Sequence, residues 1–324
     1  MATEIERFSY DPTITVDGFT FDSIVPPYYK KDAILISNPE LYTNYVNYIR
    51  QKELTQAVIN THSLKILRDC PSLSYIKLFP FDRSPDFYDF SPLYERKLHY
   101  LHCSCITING YGKKGTKFGE IDFSKMQGLE ALFLDTSKGA INYNTIETLK
   151  TLSAYHYKSS SGDLSNLFCS TQLDSLRLFF SSVYSLEGIE QTQKLQCLDL
   201  TYNRQLEDIS ALKKVKNSLK ALHICCCAKI KDFSVFYELE NLEHLRIWGS
   251  NTLPSLDFVK YLPNLQSVFL FNTVADGDLT PLLRMRYAQV RNKRHYNLKN
   301  KDLPKIRSAL TGRESIEEWR RLHW

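Results

Sequence analysis

Apolar residues along this chain return in a short fixed pattern, and the pattern itself returns at a fixed step. Leu195-Gln-Cys-Leu198-Asp-Leu200-Thr-Tyr-Asn203 puts leucine at the first, fourth and sixth places and asparagine at the ninth. Leu219-Lys-Ala-Leu222-His-Ile224 repeats it 24 residues on, and Leu242-Glu-His-Leu245-Arg-Ile247 and Leu265-Gln-Ser-Val268-Phe-Leu270 follow at steps of 23. Towards the N-terminus the same frame reads Leu173-Leu176-Leu178, Leu152-Tyr155-Tyr157 and Leu129-Leu132-Leu134, with looser copies from Leu98, Leu73 and Leu54. Tyr287-Ala-Gln-Val290 reads as a last, degenerate copy. Alternation across the fourth to sixth places predicts a short half-buried strand in each copy. Recurrence at one period predicts stacked repeats, since a single unit cannot bury its apolar face alone.

The steps stay between 21 and 24 residues from Leu129 to Tyr287 and widen to 25 and 31 before that, so insertions are expected around residues 80–92 and 107–120. The second holds Gly110-Tyr-Gly-Lys-Lys-Gly-Thr-Lys-Phe-Gly119, which lacks the spacing of a phosphate-binding loop and reads as a surface insertion. The pattern Leu195–Asn203 resembles the leucine-rich repeat family, and most closely its short internalin-like class. Asp208-Ile-Ser-Ala-Leu212, Asp232-Phe-Ser-Val-Phe236 and Leu256-Asp-Phe-Val-Lys-Tyr-Leu262 fit the turns of that class. The resemblance covers residues 54–290. It implies an α/β right-handed solenoid, a horseshoe with a concave parallel β-sheet and convex 3-10 or short helical turns, capped at both ends. Residues 1–53 are expected to be an N-terminal cap, 54–294 a solenoid of ten to eleven repeats and 295–324 a basic C-terminal cap. Within the first cap, Asp32–Ser37 reads as a strand, and Asn38-Pro-Glu-Leu41 as a helix start with Asn as N-cap, running towards Arg50. Pro304 to Trp324 reads as a basic amphipathic helix that Gly312 bends.

Composition adds a location and a charge distribution. The start of the chain lacks the charged and apolar pattern of a signal peptide, and no stretch reaches the roughly 20 apolar residues of a membrane helix. Eight cysteines with no Cys-x-x-Cys are expected as reduced thiols, so the chain reads as cytoplasmic. The formal charge of +5 sits at one end: residues 284–324 carry 12 Lys and Arg against four acids, leaving −3 for residues 1–283.

In each copy the first, fourth, sixth and ninth places face the core, and the third, fifth, seventh and often eighth face outward on the sheet. The fifth place reads Val58, Lys77, His102, Phe133, His156, Arg177, Asp199, His223, Arg246, Phe269 and Arg291. The third adds Tyr75, Tyr100 and His244, the seventh adds Phe79, Lys158, Phe179, Trp248 and Phe271, and the eighth adds Phe180 and Tyr202. Strand propensity explains some aromatics, but not Trp248, Phe269 and Phe271 gathered with Arg246 and His244. Aromatics with Arg dominate binding hot spots. The residues singled out as partner-binding are therefore Arg177, Phe179, Asp199, His223, His244, Arg246, Trp248, Phe269 and Phe271.

The expected function is a non-enzymatic, monomeric scaffold that binds a protein of acidic or mixed surface, as an adaptor or an inhibitor or immunity-type protein, without cofactor or metal. Two alternatives carry less. The basic C-terminal end could hold nucleic acid, but a solvated cap explains it as well. Cys197, His223 and Asp199 could form a hydrolytic set, or His223, His244 and Cys225 a zinc site. An open sheet face offers neither a water-excluding pocket nor ligand-spacing motifs. The run Cys225-Cys226-Cys227 falls at places seven, eight and nine, with Cys227 in the slot of Asn203 and of Ser137, Ser160, Ser181, Ser250 and Thr273. Cys225 is thereby expected to be the surface thiol.

Overall fold

The computed structural model describes residues 14–22, 33–61, 63–78, 89–103, 120–126, 128–136 and 139–306. The pattern becomes a single 14-stranded sheet. It opens with an antiparallel hairpin, β1 (Ile14–Val16) and β2 (Phe19–Asp22), which lies on β3 (Ala33–Ile36). From there every strand is parallel to the last: β4 (Gln56–Ile59), β5 (Tyr75–Leu78), β6 (Tyr100–His102), β7 (Ala131–Asp135), β8 (Thr151–Tyr155) and β9 (Ser175–Phe179). Then come β10 (Cys197–Thr201), β11 (Ala221–Cys225), β12 (His244–Trp248), β13 (Ser267–Leu270) and β14 (Tyr287–Val290). The expected strand at residues 32–37 is thus the first parallel strand. Asn38 accepts the Glu40 amide at 3.0 Å, starting a 3-10 turn that runs into a helix over Tyr42–Gln51. The helix expected from Pro304 and both expected insertions fall largely outside the described residues.

Opposite the sheet, each repeat returns through a short turn, with 3-10 segments at Ser210–Val215, Ser234–Glu238, Asp257–Tyr261 and Thr280–Arg284. Their starts share one device. Asp208, Asp232 and Asp278 accept the amide two residues on, at 2.7, 2.8 and 2.9 Å. The core lies between sheet and turns: Leu198, Leu200, Leu222, Ile224, Leu245, Ile247, Val268 and Leu270 are all buried.

Two frames shift against expectation. Leu152 pairs in register with Leu132 and Leu176, so it fills the fourth place and Leu149 the first. Tyr155 and Tyr157 imitate the spacing but stand three places further on. The fifth place there is Ser153, not His156, and Lys158 is not at the seventh. Likewise Ser267 pairs with Tyr287 and Phe269 with Gln289, which puts Gln289 at the fifth place and Arg291 beyond the strand. In both cases the backbone ladder decides, because a strand out of register would turn its apolar side chains away from the core.

The ninth place holds a ladder of buried groups. Asn203 is fully buried, donates from Nδ2 to the Leu178 carbonyl at 3.0 Å and accepts the Ser181 amide at 2.8 Å. Cys227 takes the same slot one repeat later, its thiol 3.4 Å from the Leu200 carbonyl. Ser160 and Ser250, expected in this ladder, are exposed. Asn251 instead donates to the Cys227 carbonyl at 3.0 Å, and Asn272 donates to the Asn251 carbonyl at 3.1 Å.

Replacing Asn203 by Ala leaves the buried Ser181 amide without its partner and removes a hydrogen bond to the Leu178 carbonyl. It should cost about 2–4 kcal/mol, measured as a drop in unfolding midpoint, while Ser250→Ala should stay within about 0.5 kcal/mol.

Candidate functional site

Pairing in register lines up the outward side chains into rows about 4.8 Å apart from strand to strand. Arg177, Asp199, His223, Arg246 and Phe269 stand side by side in one row across β9 to β13. A second row carries Phe179, Thr201, Cys225 and Trp248, and His244 lies in a third. Phe271 follows β13 directly and packs against Trp248 with ring centroids 5.5 Å apart. The nine residues singled out from the sequence therefore share one face of the sheet.

They differ in how much of them is open. Trp248 is 49% exposed, whereas Asp199 and His223 are buried. Every side chain of β11 is buried, including the outward Ala221, His223 and Cys225. β10 is nearly as buried, and the more open residues are Arg177 and Phe179 on β9 and Arg246 and Trp248 on β12. The C-terminal aromatics are clustered, with Phe269 5.0 Å from Tyr287.

Both acids on this face are already engaged. Asp135 lies 2.9 Å from His156 Nδ1. Asp199 lies 3.2 Å from His223 Nδ1 and accepts the Thr201 hydroxyl at 2.6 Å. Burial alone would raise the Asp199 carboxyl, but His223, Thr201 and Arg177 together hold it below the usual carboxylate range. His244 shares a 2.7 Å hydrogen bond with Ser267. The Arg246 guanidinium is half-buried, and desolvation lowers its pKa.

An aromatic ladder at the eighth place is larger than the sequence suggested. His156, Phe180, Tyr202 and Cys226 all take left-handed backbone at φ of 55–56°, a region non-glycine residues seldom enter. Their amides extend the sheet, donating to the carbonyls of Phe179, Thr201, Cys225 and Trp248 at 2.6–3.0 Å. The chain then turns inward and leaves these side chains on the rim. Phe180 and Tyr202 stack at 5.0 Å with planes 1° apart, and His156 stacks on Phe180 at 5.6 Å. Beside them Tyr155 stacks on Phe179 at 4.6 Å. Correct placement of Leu149 would have put His156 into line with Phe180 and Tyr202; the misplaced Leu152 frame hid it.

Chemistry at the thiols is restrained. Burial pushes the Cys197 thiol up to about 12, which disfavours its thiolate form. Among the described residues no three His, Cys, Asp or Glu side chains gather as a metal would require. Cys225 is buried, and burial with the neighbouring Cys226 pushes it up to about 12. The more open thiol is Cys226, which the turn carries to the rim. That corrects the expectation for Cys225.

No family model matches the sequence, and no curated protein matches it. Solved structures do. An internalin, InlF of Listeria monocytogenes, is similar with a TM-score of 0.53 and 19% identity over 82% of this chain and 74% of that one. A leucine-rich repeat protein of Leptospira interrogans covers 80% of this chain and 82% of its own, with 14% identity and a TM-score of 0.38. The fold is thus the leucine-rich repeat horseshoe. Within that class it is internalin-like in architecture. Among the described residues no helix is long and apolar enough to cross a membrane.

Asp199 gives the site a pH signature. Its folded pKa lies below the unfolded value of about 3.9. The stability it contributes is present above that value and is lost as pH falls through the folded pKa. Asp199→Asn should therefore lower the unfolding midpoint at pH 7, with the gap to wild type shrinking below about pH 3.9, read by thermal melts across pH 2–7.

Proposed function

We propose that this protein is a non-enzymatic interaction scaffold whose concave face, from β9 to β14, binds a protein partner of acidic or mixed surface. The observation that carries this reading is Trp248. It stands half-exposed against Phe271, with the half-buried Arg246 in the same strand. Exposed aromatic patches rimmed by charge mark interaction sites, and Trp and Arg are the residues most often decisive within them. The rim ladder of Phe180 and Tyr202 extends the apolar surface along the same edge.

An adaptor fits this surface, as does an inhibitor or immunity-type protein that covers its target's functional site. Internalin-like architecture supports binding in general and chooses neither. The seven described cysteines are free thiols, which supports work in a reducing compartment such as the cytoplasm. The basic C-terminal end is partly engaged in structure. Arg284 donates to the Val259 and Leu262 carbonyls, Lys299 to those of Lys293 and Tyr296, and Lys305 to that of Ala288. Those contacts favour a cap over a nucleic-acid surface.

Affinity capture from the native cell tests the reading. Wild type and a convex-face control, Tyr237→Ala/Tyr261→Ala, should retain the same partner, and Arg246→Ala/Trp248→Ala should lose it. Each concave replacement should cost about 2 kcal/mol or more of binding. Equal retention by all three proteins would overturn the concave site.

A further inference from the structure

The trough along β11 contains polar groups whose partners are missing. His223 is only 8% exposed, yet neither ring nitrogen makes a hydrogen bond. Its Nδ1 approaches Asp199 at ion-pair distance without hydrogen-bond geometry. In the next strand the Arg246 Nε is buried and also unbonded. Asp199, two strands away, is the carboxylate that acts on Arg246, and it is already shared with His223 and Arg177. Arg177, Asp199, His223 and Arg246 stand in one row, so the imidazole and the Arg246 guanidinium are strand neighbours.

Buried polar groups are nearly always hydrogen-bonded, and a desolvated guanidinium is costly unless an anion pairs with it. Ala221 and Cys225 are small and uncharged, and Trp248, Phe269 and Phe271 are aromatic. A planar carboxylate suits this arrangement, because a guanidinium fork and an imidazole N–H can grip its two oxygens together.

We propose that Arg246 and His223 form a carboxylate-binding notch that receives an Asp or Glu side chain of the protein partner, with Trp248 and Phe271 packing beside it. This rests on the reading of the concave face as the partner surface and assigns the chemistry of its centre. The rows dictate the order: the acidic side chain enters between β11 and β12, and an apolar neighbour on the partner meets the aromatic pair.

The test uses the full chain, labelled with nitrogen-15, and N-acetylglutamate as the probe. The probe should shift the Arg246 Nε–Hε signal and the His223 ring nitrogens saturably, with a dissociation constant of about a millimolar, as one or two charge-assisted hydrogen bonds would give. N-acetylglutamine should not. Arg246→Gln should abolish the response with the backbone spectrum otherwise unchanged, and Arg246→Lys should weaken it by losing the fork.

Three results would overturn the proposal. One is the absence of a saturable shift, or an equal one with N-acetylglutamine. Another is tighter binding of inorganic phosphate than of the carboxylate. The third is movement of the Arg246 and His223 signals, without any probe, in a Glu314→Gln/Glu317→Gln/Glu318→Gln chain, which would mean the protein's own carboxylate fills the notch. Partner capture that survives while the probe fails sinks only the notch. A probe that binds while capture ignores Arg246 and Trp248 sinks the partner reading and leaves an anion site.

Discussion

Register between neighbouring parallel strands is the constraint on which everything else rests. Each repeat offers a strand of three to five residues with one or two side chains directed inward, such as Leu198 and Leu200 or Leu222 and Ile224. Such a strand buries nothing by itself. Stacked at about 4.8 Å, its apolar pair meets those of its neighbours and the turns behind them, and the core becomes continuous. The Asn203 and Cys227 side chains tie one repeat to the previous through its backbone, so the apolar stacking and the hydrogen-bond ladder hold the same alignment. A slip of one residue would break both at once.

The same alignment that builds the core composes the surface. Because like places stack, single substitutions per repeat become rows of chemistry. Arg177, Asp199, His223, Arg246 and Phe269 are far apart in the chain and adjacent on the sheet. Burial varies along the face: the outward residues of β10 and β11 are largely buried, while aromatic residues stand at the C-terminal end and along the rim. Left-handed residues at the eighth place let the chain leave the sheet and turn inward at once, and that geometry displays Phe180 and Tyr202. The strain of holding bulky residues there is offset by amides that continue the parallel ladder.

Much of this was legible in the sequence, and the failures have physical causes. The copies from Leu195 to Leu270 carry aliphatic residues at all three inward places, and each strand lies where the pattern put it. At Leu152 the pattern misled, because Tyr155 and Tyr157 supplied apolar residues at the right spacing in the wrong frame. Pairing with Leu132 and Leu176 shows the true one. At Ser250 a small polar residue suited the ladder by type, yet Asn251 reaches the buried carbonyls instead. The nine site residues were legible as a face, since alternation alone orients them. Their depth was not. Burial of His223 and Cys225 is set by side chains of other repeats, and a single repeat does not encode that.

On the proposed function, the concave face between β9 and β14 holds the partner. Covalent labelling of aromatic side chains in the purified complex, read residue by residue by mass spectrometry, tests it most directly. Trp248, Phe271 and Phe180 should be protected relative to the free protein, with the convex Tyr237 and Tyr261 labelled equally in both. Protection of Tyr237 and Tyr261 with unchanged labelling of Trp248 would contradict it.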